Sequence, residues 1–208
     1  PNFQYAITAE QLMPVVGERF FEVYNGHPSV HNRGDDSHAS TERIWDIVNT
    51  FRLTELKLPL MYGVATDDGH NYHITQSGKG SQPGRGWVMV LADKLDPDVL
   101  VTALEAGQFY GSSGVTLSSI QWQDNTLTVD VIPDEDAMYR IDFVGTRRGF
   151  DGTSHAVVDA KGREDRKTRR YSDDIGEVLK SVNGTSGSYQ CQGDELYVRA
   201  VVTSSLLH

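Results

Sequence analysis

The spacing of apolar residues changes near residue 114, and this change constrains the fold more than any other feature of the chain. Before it, short apolar runs typical of buried strands alternate with segments whose apolar residues recur every three or four positions, as in a helix. After it, apolar and polar residues alternate with a period of two, which is typical of strands with one buried face. The sequence therefore predicts two domains, at residues 1–114 and 115–208.

Helices and strands alternate four or five times in the first of these domains. A hydroxyl at Thr8 and an amide at Gln11 form a capping box, which predicts a helix over residues 9–17. Other helix starts and ends are marked by Ser40 or Thr41, by Asp96 with Pro97, and by Gly107. The predicted strands are residues 19–25, 60–65 and 87–92. Such alternation favours an α/β fold with mostly parallel strands, whose loops gather at the carboxyl ends.

Turn residues separate the alternating runs of the second domain. Its clearest strands are Thr126–Val131, Tyr139–Val144 and Glu195–Val202. Short alternating strands joined by turns predict an antiparallel module, and we expect a small sandwich. Tyr139 and Trp122 are expected to pack in its core rather than to form a sugar-binding face.

Composition excludes several classes of protein. The 208 residues carry 19 Lys and Arg against 29 Asp and Glu, a net charge of −10, which disfavours a nucleic-acid or membrane partner. A local basic excess over residues 161–170 is interpreted as a solvated loop rather than a docking site for an acidic partner. Cys191 stands alone, so no intrachain disulfide and no cysteine zinc cluster can form. No apolar run reaches the roughly 18 residues of a membrane helix. We expect a soluble protein, cytoplasmic or exported from a bacterial cell.

The residues best suited to chemistry lie directly after the predicted strand 60–65. Asp68 and His70 are two positions apart on an extended chain, so their side chains can share one metal ion. Asp67 adds negative charge at the same place, which a cation would neutralise. These residues predict a divalent metal site with Asp68 and His70 as ligands, although an Asp-x-His motif alone also fits a surface loop.

Other polar residues follow the predicted strands more loosely. His27 comes after the strand that carries Glu22, and it is the strongest secondary candidate for the site. Glu22 either points towards the same site or forms a buried pair with an arginine. Arg85 lies between two glycines and is as well suited to binding a phosphate group as to a structural salt bridge. His27 also belongs to a second candidate group that could bind another metal ion or a phosphate, although turn and capping roles are favoured for it. Its other members are His31, Asp35, Asp36 and His38.

Five segments of the first domain occur together in an order similar to that of one protein family. They are EVYNGH at 22–27, TERIWD at 41–46, GVATDDGH at 63–70, PGRGWV at 83–88 and ALEAGQFYGSSG at 103–114. In this order they resemble the carboxyl-terminal half of the PHP superfamily, which is named for polymerase and histidinol phosphatase and contains metal-dependent phosphoesterases.

The resemblance implies a distorted (β/α)7 barrel whose strand ends hold two or three divalent ions (Zn, Mn or Fe). It implies that Asp68 and His70 are metal ligands, and that metal-activated water hydrolyses a small phosphorylated substrate. The family's His-x-His motif is absent from these 208 residues. We therefore expect an α/β fold, a partial (β/α)7-type barrel half over 1–114 followed by an antiparallel β-sandwich-like module. This would be a fragment of a longer phosphoesterase, inactive alone.

The missing ligands leave two other interpretations open. The chain is a non-catalytic binding module in one of them, and its β-sandwich docks a protein or a glycan. In the other, two chains complete each other's barrel in a homo-oligomer, because a half barrel would expose unpaired strand edges.

Overall fold

The computed structural model describes residues 7–73, 80–158, 161–163 and 166–206. It is mostly β, with 37% strand and 15% helix. The chain divides into two compact units, and neither is one continuous segment. The first unit comprises residues 1–114 and 156–170, and the second comprises 115–155 and 171–208. In the described residues no helix is long and apolar enough to cross a membrane.

The first unit contains three helices and four strands among its described residues, outside the short strand at the boundary between units. In chain order they are α1 (Ala9–Leu12), β1 (Phe20–Asn25), α2 (Thr41–Phe51), β2 (Tyr62–Thr66), β3 (Trp87–Val90), α3 (Pro97–Glu105) and β4 (Phe109–Ser112). A π-helical turn, Arg52–Leu56, extends α2. Strands β1 and β2 pair in parallel, and β3 pairs antiparallel with β4.

The helix starts follow the predicted capping residues. Thr8 and Gln11 form the capping box of α1, Ser40 accepts a hydrogen bond from the Arg43 amide, and Asp96 caps α3. These predictions are confirmed. Helix α1 is shorter than predicted, because Pro14 has no amide hydrogen with which to continue the helical hydrogen bonding.

Helix α2 connects the two parallel strands and packs its predicted apolar face inwards. Ile47 and Val48 are fully buried, and Ile44 and Phe51 nearly so. Burying one such side chain contributes roughly 1.5–3 kcal/mol. The polar side of α2 fixes the chain before β2, since Trp45 Nε1 and the Asn49 side chain both donate to the Met61 carbonyl, at 2.7 and 3.1 Å.

The predicted half of a (β/α)7 barrel is wrong. Only β1 and β2 form a parallel pair among the described strands of the first unit, and β4 runs antiparallel to β3. The cause is the end of α3, where Gly107 adopts a φ of 74° and turns the chain back. The next residue, Gln108, then accepts a hydrogen bond from the Leu91 amide at the end of β3. The chain therefore re-enters beside β3 in the reverse direction, whereas a barrel would need a crossover to a parallel strand.

The second unit is built mainly from strands, and those of its two three-stranded sheets are antiparallel. The remaining strands are β5 (Thr116–Gln123), β6 (Thr126–Ile132), β7 (Tyr139–Arg147), β8 (Ser154–His155), β9 (Arg170–Tyr171), β10 (Glu177–Asn183), β11 (Ser186–Gln190) and β12 (Glu195–Ser204). They build two three-stranded sheets, ordered β11-β6-β5 and β10-β7-β12, and a two-stranded sheet of β8 and β9.

The core of the second unit lies between residues of both three-stranded sheets. Ile141 and Phe143 are fully buried there, and the Phe143 ring stacks on that of Tyr189 with centroids 5.9 Å apart. Tyr139 is buried in this cluster as predicted. Trp122 is not, since 60% of it is exposed, so its predicted core position is wrong.

Candidate functional site

The candidate site is built at the carboxyl ends of β1 and β2. The last residues of the two strands, Asn25 and Thr66, are paired, and the Gly26 amide donates to the Thr66 carbonyl at 2.8 Å. Because the strands are parallel, the residues that follow them emerge at the same edge. Sequence and structure agree on this location for Asp68 and His70.

Asp68 and His70 are in direct contact. Asp68 Oδ1 lies 2.9 Å from His70 Nε2, and the side chains are 38% and 67% exposed. Asp68 has a left-handed backbone, with a φ of 49°. Ser81, which is 1% exposed, holds this turn: its hydroxyl donates to the Asp68 carbonyl, and its own carbonyl accepts from the His70 amide at 3.0 Å. These hydrogen bonds hold the loop in the conformation that brings the Asp68 and His70 side chains together.

Asp67 has a different role from its neighbour. Its Oδ1 accepts a hydrogen bond from the Gly69 amide at 3.1 Å, and its Oδ2 accepts from the Gly84 amide at 2.8 Å. These bonds tie the loop after β2 to the turn that precedes β3. Asp67 thus lies where the sequence predicted it, but both of its carboxylate oxygens accept hydrogen bonds from backbone amides.

Asn25 connects the two strands through one buried side chain. Its Nδ2 donates to Glu22 Oε2 at 3.1 Å and to Asp68 Oδ2 at 3.3 Å, and its Oδ1 accepts from the His27 amide at 2.8 Å. Glu22 also accepts from the Thr66 hydroxyl, at 2.5 Å. Of the two alternatives for Glu22, the structure supports its place beside the site.

His27 is brought next to His70, as the sequence suggested. The two rings meet edge to face, with centroids 5.7 Å apart. His27 Nδ1 accepts a hydrogen bond from the Ser29 amide at 3.1 Å, so the proton of the neutral ring is on Nε2. In this form His27 offers Nε2 as a hydrogen-bond donor.

The other candidates are divided between the site and the nearby loops. Arg85 packs against the site's backbone, since a Cβ added to Gly26 would lie 2.6 Å from Arg85 Cβ, and its Nη1 donates to the Gly80 carbonyl at 3.4 Å. Asp35 and His38 form a separate pair 2.8 Å apart, in which Asp35 also accepts from the Ser37 and His38 amides. That is the turn role favoured for this loop.

Two polar residues of the site escaped sequence reasoning. Thr66 follows the predicted strand 60–65, and Ser81 lies in a segment rich in Gly and Ser, but neither was predicted to belong to the site. No local pattern marks Ser81, because its function depends on a contact with residues 11 to 13 positions earlier in the chain.

The donor atoms of Asp68 and His70 fit a shared divalent cation in type. The 2.9 Å between them is the distance of a direct hydrogen bond or ion pair, whereas tetrahedral zinc with bonds of about 2.0–2.2 Å would hold two ligand atoms roughly 3.3–3.6 Å apart. The two side chains would therefore have to separate slightly to bind one cation. They do not fit in number, since no group of three or more His, Cys, Asp or Glu side chains able to hold a metal occurs in the described part of the chain. Catalytic zinc sites use three protein ligands.

Comparisons with known proteins add no family. A scan against protein-family models gave no match. Neither did a search of curated proteins or one of solved structures. The assignment of a function therefore rests on the residues at the ends of β1 and β2.

Proposed function

We propose that the chain contributes part of the centre of a metal-dependent phosphoesterase, with Asp68 and His70 as two of the ligands. The observation that carries the proposal is the 2.9 Å approach of Asp68 Oδ1 to His70 Nε2 at the carboxyl edge of a parallel strand pair. The motif resemblance that includes GVATDDGH supports the same chemistry.

The residues around this pair have complementary roles in the proposal. Asp68 and His70 bind a divalent cation such as Zn²⁺ or Mn²⁺, which supplies a polarised phosphoryl group and a water of lowered pKa when bound. His27 donates from Nε2 to an oxygen of the phosphate ester. Arg85, whose guanidinium carries five donors, attracts the same anionic substrate.

The shortage of ligands limits what this chain does alone. A site with two protein donors binds a cation weakly and leaves it poorly oriented. We therefore expect weak metal affinity and little or no hydrolase activity from the 208-residue chain, with the remaining ligands supplied by other sequence or by a second chain.

The test combines metal titration with turnover. Calorimetric titration with Mn²⁺ and Zn²⁺ should show weak binding that Asp68→Ala abolishes, because half of the donor set is lost. Hydrolysis of 4-nitrophenyl phosphate with added Mn²⁺ should stay near background. Asp35→Ala is the matched control, since Asp35 and His38 form a similar pair, 2.8 Å apart, outside the site.

Two results would count against this proposal. If Asp68→Ala and Asp35→Ala weaken metal binding equally, the cation is bound by surface carboxylates in general. If the wild-type chain turns over substrate rapidly and Asp68→Ala stops it, the site is complete and its expected inactivity is wrong.

The alternative is a binding module in the second unit. Ile120 and Trp122 on the edge strand β5 are 48% and 60% exposed, and they pair with Val129 and Leu127, so they lie on the apolar side of the sheet. An exposed indole on such a surface suits a glycan or a protein partner. A chain that binds no metal would favour this alternative over the phosphoesterase proposal.

A further inference from the structure

We propose that Asn25 is the positioning residue of the candidate site, because a single carboxamide sets both the Asp68 carboxylate and the His27 ring. This inference deepens the proposed function and rests on it for its chemical meaning. The geometry, however, is present in the metal-free chain, where it is tested separately.

The first reason is that every polar atom of the Asn25 side chain is used. The two Nδ2 hydrogens go to two carboxylates, Glu22 and Asp68, and Oδ1 accepts from the His27 amide. Asn25 is 8% exposed, so water competes little for these bonds. The amide orientation follows from its partners, since an N–H of His27 requires the oxygen on that side.

The second reason is that the two carboxylate oxygens of Asp68 have different partners. Asn25 binds Oδ2, and His70 binds Oδ1. With Oδ2 held, the carboxylate cannot rotate freely about its Cβ–Cγ bond, and Oδ1 stays towards His70. Hydrogen bonds of this kind to ligating carboxylates commonly orient metal ligands.

The third reason is the effect on His27. The Asn25 bond to the His27 amide closes the first part of a turn whose next bond runs from the Ser29 amide to His27 Nδ1. One side chain therefore fixes the backbone that keeps Nε2 of His27 as the donor. Loss of Asn25 should disturb both histidines, although it touches neither ring.

Asn32 provides a matched control within the same contacts. Within the described part of the chain its side chain bonds only to the Asn25 backbone, accepting from the amide at 3.0 Å and donating to the carbonyl at 2.8 Å. Asn32→Ala removes support for this segment and leaves the Asn25 carboxamide in place. A merely structural role for Asn25 would make the two alanine variants alike.

The experiment reads the ring nitrogens of the histidines by ¹⁵N NMR in the metal-free chain at one pH. We expect Asn25→Asp to keep the unprotonated signal of His27 Nδ1, because Asp retains the acceptor, and to shift His70 Nε2, because the donor to Asp68 is lost. Asn25→Ala should shift both signals, and Asn32→Ala neither.

A wild-type measurement avoids dependence on the folding of the variants. The Asn25 side-chain NH2 should exchange slowly with solvent because both hydrogens are bonded in a buried place. Rapid exchange would overturn the proposal. So would an Asn25→Asp variant that shifts both histidines as Asn25→Ala does, or that shifts neither.

Metal binding provides a second test of the Asn25 variants. If the wild-type chain binds Mn²⁺, Asn25→Ala should weaken that binding about 10- to 100-fold, as is typical when the support of a ligand is removed, and Asn32→Ala should weaken it less. Equal losses would overturn the positioning role. If the wild-type chain binds no Mn²⁺, the proposed function fails, and the metal-free spectra alone decide the role of Asn25.

Discussion

Single residues of the first unit carry more of its stability than their position in the sequence suggests. Arg52 is 1% exposed, yet it bears a charge. Its Nε donates to the Pro59 carbonyl at 2.8 Å, and its Nη1 donates to the carbonyls of Met13 and Val15 at 3.0 and 2.6 Å. Burial lowers the pKa of Arg52, with a further lowering from nearby Arg19. The guanidinium thus joins three segments that have no strand pairing with one another.

We predict that Arg52→Met destabilises the chain by at least about 2 kcal/mol, because three carbonyls lose a charged donor and Met fills the space without replacing it. Urea unfolding monitored by circular dichroism measures the change. Arg52→Lys keeps the charge but offers a single ammonium group in place of a planar fork, so it should lie between wild type and Arg52→Met. Equal stability of wild type and Arg52→Met would show that the carbonyl contacts contribute nothing.

At this scale, the sequence predicted residues whose chemistry is visible locally. Asp68, His70 and His27 were found because each follows a predicted strand. The bonds that Asn25 makes were not foreseen, because Glu22 and Asp68 lie 3 and 43 positions away from it and only the parallel pairing brings both within reach. A hydrogen-bond partner depends on three-dimensional distance, which a single sequence does not encode locally.

Among the elements, β11 and β12 carry two groups with large pKa shifts, Tyr189 near the end of β11 and Glu195 at the start of β12. Glu195 Oε1 accepts from the Tyr189 hydroxyl at 2.5 Å, and Arg147 Nη2 donates to the same hydroxyl at 3.1 Å. Burial and the bond to Glu195 raise the pKa of Tyr189 to about 12. Burial acts to raise the pKa of Glu195, but hydrogen bonds from Tyr189 and from the amides of Gln192 and Gly193 outweigh it, and the pKa falls to about 2.

We predict a loss of stability in acid that depends on Glu195. Its pKa is lower in the folded chain than its ordinary value of 4.5, so the stabilisation is present above pH 4.5 and is lost as the pH falls towards about 2. Glu195→Gln should be less stable than wild type near neutral pH, because its amide cannot accept from the two backbone amides at Oε2. The difference should shrink below pH 4.5.

Unfolding midpoints in urea at a series of pH values provide the measurement. Glu135→Gln serves as the control for the loss of one negative charge, since Glu135 is exposed in the same unit. A stability difference between wild type and Glu195→Gln that stays constant from pH 7 to pH 2 would contradict the assignment.

Helices and strands were predicted well where neighbouring residues in the sequence determine them. The arrangement of the strands was predicted poorly, because it depends on which strands pair and in which direction. Ser40 and Asp96 cap helices as their side chains indicate. The mostly parallel arrangement was wrong for β3 and β4, because an alternation of strands with a helix is compatible with both a parallel crossover and a reversal. The turn at Gly107 decides between them. The alternation of apolar and polar residues predicted strands in the second unit. It did not predict their neighbours in the sheet, because the order β10-β7-β12 joins distant parts of the chain.

For the whole molecule, the discontinuity of the first unit is the feature that no motif indicated. Residues 156–170 return to it after the chain has passed through 115–155. Thr168, which is 5% exposed, accepts from the fully buried Ala9 amide at 3.1 Å, and the Arg169 amide donates to Glu10 Oε1 at 3.0 Å. The predicted boundary at residue 114 therefore does not separate the first unit from everything that follows.

We predict that Thr168→Val destabilises the first unit by about 1–3 kcal/mol, the cost of leaving a buried amide without an acceptor. Hydrogen exchange of the Ala9 amide should accelerate in the same variant. Thr168→Ser, which keeps the hydroxyl, should protect Ala9 nearly as well as wild type. An unchanged exchange rate in Thr168→Val would mean that the Ala9 amide has another acceptor.

The return of residues 156–170 also sets an order of events during synthesis. A ribosome makes α1 well before the acceptor for the Ala9 amide, which follows 159 residues later. Domains usually fold as they emerge, from the amino terminus onwards. In this chain, the Ala9 amide must wait until residues 115–155 of the second unit and then Thr168 have left the ribosome. The capping box of α1 can close early, but this one hydrogen bond of the first unit forms only after a large part of the second unit has been made.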